Sequence, residues 1–156
     1  MGMESEIKKM MEIQLYDQIF LIKPESDANN KVKFIDKEIP NYKIYYKGRS
    51  LGTIKEILYK LDEKIKLDEI KKDRDVYIII MTHLLAQYII RKIKRRDEEY
   101  ANYLKQRREL LVEAIYKKII NGPIEKYKYL GKVWTDNEIK GALIDYLGKK
   151  VFDLFK

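Results

Sequence analysis

DVYIIIMTHLLAQYIIRKIKRR, the stretch from Asp75 to Arg96, decides how the chain folds. Its opening, Val76 to Ile80, is an apolar run that a buried strand would also tolerate. The apolar pattern then continues through Leu84, Leu85, Ile89, Ile90 and Ile93, which is too long for a strand and predicts one helix from about Asp75 to about Arg96. The purely apolar part, Val76 to Met81, is far short of the roughly 20 residues that a membrane span needs.

The flanking sequence supplies elements to cover such a helix. Downstream, a further helix is expected from about Asp97 to Ile120, stopped by Asn121-Gly122-Pro123. Tyr127 to Trp134 reads as strand or loop, and Thr135 with Glu138 forms a capping box that opens a last helix to about Phe155. Upstream, Thr53 and Glu56 form another capping box, starting a helix through Lys64 with Ile54, Ile57, Leu58, Leu61 and Ile65 on one side. Further back, a short helix is expected over Glu4 to Gln14 and a strand over Gln14 to Ile22. Pro24 to Asn30 is turn material. Lys31 to Ile35 alternates charged and apolar residues like a half-buried strand. Tyr42 to Tyr46 is its expected partner, joined through Asp36 to Asn41 with Pro40 near the bend. The expected fold class is α+β: one domain over residues 1–156, with a small N-terminal antiparallel sheet and four to five helices.

Composition narrows the function classes. The chain of 156 residues carries a net charge of +8, so polyanions are its expected partners. There is no cysteine, which excludes disulfides, thiol nucleophiles and cysteine-held metals, and the single histidine excludes a His-rich metal site. Charges at Glu4, Glu6, Lys8 and Lys9 interrupt any signal-peptide core, so a soluble intracellular protein with no membrane partner is expected. The Lys- and Ile-rich composition is shared by heat-adapted proteins and by products of AT-rich genomes.

Four groups of residues bear on chemistry. The first is Arg91 to Arg108, which holds five of the chain's seven arginines: Arg91, Arg95, Arg96, Arg107 and Arg108. With Lys92, Lys94 and Lys105 it counts eight cations against three acids, in a chain where lysine otherwise dominates. Arginine's planar fork grips phosphate with two hydrogen bonds, which points to nucleic-acid backbone contact. Tyr100 and Tyr103 lie among these cations, where they would stack on bases or sugars. The bland alternative is a solvated helix face paired with Asp97, Glu98, Glu99 and Glu109.

The second group is the helix face of His83, Ala86, Gln87 and Ile90, neighbours at three- and four-residue spacing. A lone histidine there is usually a packed, hydrogen-bonded side chain. Ala86 is chemically silent, yet it stands one turn after His83, where an acid would be well placed to bind a metal or act as a base. The third group is Gly48-Arg-Ser50 with Asp73-x-Asp75, a faint echo of nucleotidyltransferase sites in which paired carboxylates hold metal ions. The alternative is that Gly48 serves a turn and Asp75 caps a helix. The fourth group, Tyr45-Tyr-Lys-Gly48 with Ser50, faintly resembles the second half of the GIY-YIG nuclease motif but lacks its first half, and other acid pairs, such as Glu109 with Glu113, read as solvated helix charges.

The length, the Lys/Ile/Tyr-rich cysteine-free composition and the segment Met81-Thr-His-Leu-Leu-Ala-Gln-Tyr88 resemble the small double-stranded-DNA nucleases of lipothrixviruses, filamentous viruses of archaea. The resemblance implies a topology remotely like nucleotidyltransferases, activity on linear double-stranded DNA, and residence in a host cytoplasm. It also implies a catalytic glutamate in the helix after Asp75, at the position held here by Ala86. Either the resemblance stops short of that acid or this chain carries a substituted, inactive site. In the mechanism so implied, a carboxylate at position 86 would bind Mg²⁺ or orient the attacking water. Asp73, Asp75 or Glu56 would supply a second carboxylate, and His83 would protonate the leaving oxygen or hydrogen-bond the phosphate. Arg91, Lys94 and Arg95, with Arg96, Arg107 and Arg108, would hold the DNA backbone in a sequence-independent, salt-sensitive way. The competing expectations are a non-catalytic nucleic-acid-binding protein and a structural module.

Overall fold

Two hairpins with two-residue turns organise the front of the chain in the computed structural model, which describes residues 12–24, 31–34, 37–65, 74–120, 128–129, 132–133 and 141. Strand β1 (Glu12–Tyr16) turns through Asp17 and Gln18 into β2 (Ile19–Ile22), with Tyr16 opposite Ile19. Asp17 takes a left-handed conformation (φ 44°), which a short polar side chain tolerates better than most. Strand β5 (Lys43–Tyr46) turns through Lys47 and Gly48 into β6 (Arg49–Thr53). Both turn residues have positive φ (47° and 73°), the type I′ geometry that suits the twist of a hairpin. The space where a Gly48 Cβ would stand is open, so the glycine is there for its backbone angle.

These four strands make one antiparallel sheet in the order β1-β2-β5-β6. Ile19, Leu21, Ile44 and Tyr46 point inward and are buried. Each edge strand carries a bulge at a leucine: Leu15 is the extra residue between Gln14 and Tyr16, and Leu51 the extra residue opposite Ile44 and Tyr45. Both leucines are buried, so the bulges turn an additional side chain onto the core. A separate hairpin pairs β3 (Lys31–Phe34) with β4 (Lys37–Pro40) and buries Val32, Phe34 and Ile39.

The front of the chain therefore differs from the expected arrangement in three ways. Residues 12–14 are strand, not helix, and Gln14 to Ile22 is a hairpin, not one strand. Tyr42 to Tyr46 does not pair with Lys31 to Ile35: β3 pairs with β4, and β5 lies between β2 and β6. Gly48 serves the expected turn, but Arg49 and Ser50 already belong to β6, so Gly48-Arg-Ser50 does not form one loop. The reason is common to all three. Short strands carry similar apolar patterns, and their pairing is decided by turn geometry and by the core they jointly cover.

Helix α1 (Ile54–Ile65) follows β6 directly. Its first free N–H groups are taken by side chains: Glu56 N–H donates to Thr53 Oγ1 (3.2 Å) and Lys55 N–H to Asn41 Oδ1 (2.9 Å). Thr53→Ala is expected to cost about 1 kcal/mol of unfolding free energy, read from urea denaturation, because one of these donors then lacks its acceptor.

Helix α2 (Arg74–Lys94) is the long helix expected from the sequence. Every residue from Ile80 to Gln87 is buried, as are Ile89, Ile90 and Ile93, so α2 is the centre of the core. It packs on α1, on β6, on α3 (Glu98–Gln106) and on α4 (Arg108–Ile115), which runs into a π-helical turn at Tyr116–Ile120. The single helix expected from Asp97 to Ile120 is thus broken at Arg107 (φ −116°, ψ 26°). No Gly or Pro marks the break; it falls where two consecutive arginines go to different partners. A two-residue-per-strand hairpin, β7 (Lys128–Tyr129) with β8 (Lys132–Val133), follows. The helix expected from Thr135 to Phe155 and the one over Glu4 to Met11 lie outside the described residues, Gly141 apart. The described chain is therefore α+β, with a small antiparallel sheet and four helices. None of its helices is long and apolar enough to cross a membrane.

Candidate nucleic-acid interface

The last turns of α2 and the turn that follows set Gln87, Tyr88, Arg91, Lys92 and Arg95 on one side, three and four residues apart. That side faces Lys60 and Leu61 of α1 across a groove of about 360 Å³. Leu61 and Leu84 are its apolar lining, and Lys60, Arg91, Lys92 and Arg95 line it with no acid among the described lining residues. Gln87 is buried in its wall and accepts a hydrogen bond from Arg108 Nη1 at 3.4 Å, which brings a fifth cation behind the groove. Tyr88 holds the rim: Lys60 Nζ donates to its hydroxyl (3.3 Å), and Lys92 Nζ lies 5.5 Å from its ring centroid.

Cations in the last turn of a helix are favoured by the helix dipole, which accounts for part of this pattern. It does not account for Lys60, which belongs to another helix. Like charges gathered in a concave, partly apolar site raise the local potential, and an anion entering it is bound by charge-assisted hydrogen bonds. The arginine forks suit phosphate oxygens.

The remaining cations are dispersed. Lys94 and Arg96 are exposed and do not line the groove. Arg107 sits over the Tyr103 ring at 4.1 Å; Tyr103 stacks on Tyr100 (5.5 Å), and Tyr100 stacks on Tyr46 (4.9 Å). Arg107, Tyr103, Tyr100 and Tyr46 thus form a ladder tying α3 to the sheet. Tyr100 and Tyr103 are accordingly engaged with each other and with their neighbours, and are not the open base-stacking rings expected from the sequence.

Asp97, at the N-terminus of α3, anchors this ladder. It accepts the Tyr46 hydroxyl (2.6 Å) and the Tyr100 N–H (3.0 Å), with Lys47 Nζ at 3.8 Å. Burial, then the bond to Asp97, pushes the Tyr46 hydroxyl up to about 12, so it remains a neutral donor rather than a nucleophile. The Tyr46 hydroxyl, followed by the Tyr100 N–H, holds the Asp97 carboxyl below its ordinary value. A depressed carboxyl contributes stability above its unfolded pKa, and that contribution is lost as pH falls through the folded one. The stability gap between the parent and Asp97→Asn is therefore expected at pH 6 and to close below about pH 4, measured by thermal melting across pH.

The positions tied to catalysis lie elsewhere. Ala86 is 0% and His83 1% exposed, both inside the α2 core, and neither lines the groove. Glu56 is exposed in the first turn of α1. Ser50 Oγ accepts from Gly52 N–H (3.2 Å), a local role within β6. Asp73 and the Asp75 side chain lie outside the described residues. Among the described residues no three His, Asp or Glu side chains converge as a metal site.

Sequence reasoning placed Arg91, Lys92 and Arg95 in one basic cluster and Gln87 beside His83, but did not join Gln87 to the cluster and did not find Lys60. Gln87 carried a legible signal, one turn from both His83 and Arg91. Lys60 carried none, because only the packing of α1 on α2 brings it in. No protein-family model, no curated protein and no solved structure matches this chain.

Proposed function

We propose that the chain is a nuclease for linear double-stranded DNA whose cutting acid is missing, and that it grips the phosphate backbone in the basic groove between α1 and α2. The observation that supports the reading is the convergence of Lys60, Arg91, Lys92 and Arg95 on one groove beside the buried Gln87. The reading includes a topology remotely like nucleotidyltransferases, with Mg²⁺ as its cofactor and an acid at position 86. In this chain, Ala86 leaves that acid missing, so binding persists and cutting does not. Lys60, Arg91, Lys92 and Arg95 bind and orient; among the described lining residues none is an acid or histidine that would serve as general base.

A second reading, a non-catalytic DNA-binding protein, is favoured by the complete burial of His83 and Ala86. The test is cleavage and binding of linear duplex DNA with Mg²⁺, comparing this chain with Ala86→Glu. Cleavage by the substituted chain alone supports the nuclease. Binding by both with cleavage by neither supports the second reading. Equal cleavage by both moves the acid to Glu56, Asp73 or Asp75. Absence of binding at about 50 mM salt overturns both readings, because phosphate-driven binding strengthens as salt falls.

A further inference from the structure

We propose that the outer face of the four-stranded sheet binds single-stranded nucleic acid by stacking bases on Phe20 and Tyr45. This site shares no residue with the groove and does not depend on it.

The argument starts from strand alternation. With Ile19, Leu21, Ile44 and Tyr46 turned into the core, Phe20, Ile22 and Tyr45 must face outward, and all three are partly exposed. They lie on β2 and β5, the two central strands, away from either edge. Phe20 and Tyr45 are direct cross-strand partners, so their rings stand side by side. Gln14, opposite Phe20, and Ser50, opposite Tyr45, extend this row on either side with hydrogen-bonding side chains. The next row sets Ile22 between Glu12 and Lys43. Above Phe20, Ile22 and Tyr45 lies a concavity of about 510 Å³, bordered by Glu12, Gln18 and Lys47.

Aromatic rings on an antiparallel sheet face cost stability in water unless something covers them, and the surroundings select what does. Lys43 Nζ stands 5.8 Å from the Tyr45 ring centroid. Lys47 borders the opposite end, its ammonium lying 3.8 Å from the Asp97 carboxylate and 5.5 Å from the Tyr46 ring centroid. Among the described residues the face is thus an aromatic pair with Lys43 beside it, Lys47 at its border and one acid, Glu12, at the rim. Unpaired bases supply π faces for the rings, and their phosphates supply charge for the lysines. A duplex cannot use such a face, because its bases are already stacked on each other.

The test is fluorescence anisotropy with a labelled thymine strand of about ten nucleotides and a duplex of equal length, at about 50 mM salt. Phe20→Leu and Tyr45→Leu keep apolar bulk and remove the ring, and Tyr45→Phe keeps the ring. Each leucine variant is expected to weaken single-strand binding roughly five- to a hundred-fold. Tyr45→Phe should bind like the parent, and duplex affinity should be unchanged throughout. Four results would overturn the proposal: no single-strand binding by the parent, parental affinity in both leucine variants, equal losses by Tyr45→Phe and Tyr45→Leu, or a leucine effect confined to the monomer–dimer equilibrium in sedimentation. The last would make the face an interface between copies. An Arg91→Gln/Arg95→Gln chain separates the two sites, since it should lose duplex binding and keep the ring-dependent share of single-strand binding.

Discussion

An Ala86→Glu chain is expected to be less stable than the present one by about 3 kcal/mol. Ala86 is fully buried between Leu85 and Gln87, on a helix covered from Ile80 to Gln87. Adding two methylenes and a carboxyl to a filled core forces its neighbours to move, which costs about 1–3 kcal/mol by itself. Burial also disfavours the ionised carboxyl, so its folded pKa should rise above that of the unfolded chain. The folded state then holds its proton where the unfolded state has released it, and the deficit should grow as pH rises from about 4 toward neutrality. Urea denaturation of both chains at pH 5 and pH 8 measures this directly. His83, one turn away and 1% exposed, is the group able to alter the outcome. An imidazolium beside the carboxylate would shrink the deficit at pH 5 more than at pH 8. A deficit below about 0.5 kcal/mol at both pH values would mean that the new side chain reaches water rather than the core. Cleavage gained together with stability lost would fit an acid kept for chemistry at the expense of packing.

The same helix shows why some of the fold was legible in sequence and some was not. The α2 span followed from its length and from Leu84, Leu85, Ile89, Ile90 and Ile93, because helical periodicity is local. The start of α1 followed from Thr53, whose hydroxyl does cap Glu56. The strands were harder: Phe34 and Tyr46 sit in similar patterns, yet one pairs with Lys37 and the other with Arg49. That choice depends on the Lys47-Gly48 turn and on which residues share a core, both non-local or subtle in sequence. The break at Arg107 has no local signal either, since Arg107 goes to Tyr103 and Arg108 to Gln87. For the groove, charge clustering identified Arg91 and Arg95. Its concavity, its apolar lining and Lys60 required the packing of α1 against α2. The face bearing Phe20 and Tyr45 was hidden while Gln14 to Ile22 read as one strand, because only the β1–β2 hairpin places β2 at the centre of the sheet.

Arg91→Gln/Arg95→Gln should weaken binding to duplex DNA about ten- to a hundred-fold at about 0.1 M salt, with little change in fold. Glutamine retains much of the aliphatic stem and is a good helix former, so the loss falls on charge and on the phosphate-gripping fork. Removing Arg91 from the last turn of α2 costs about 0.3–1 kcal/mol of helix-dipole energy, and removing Arg95 from the turn beyond it no more, too little to unfold the chain. The salt dependence is the more diagnostic quantity. Each phosphate no longer neutralised by an arginine should reduce the slope of log affinity against log salt by about 0.9, so this pair should reduce it by about 2. Lys94→Gln/Arg96→Gln removes the same formal charge from exposed positions outside the groove. If net charge alone drove binding, the two double variants would behave alike. If the groove holds the backbone, the Arg91/Arg95 variant should lose several-fold more affinity and more of the salt slope than the Lys94/Arg96 variant. Identical titrations from the two would remove the groove from the DNA-binding surface and leave the +8 charge as the cause of any binding.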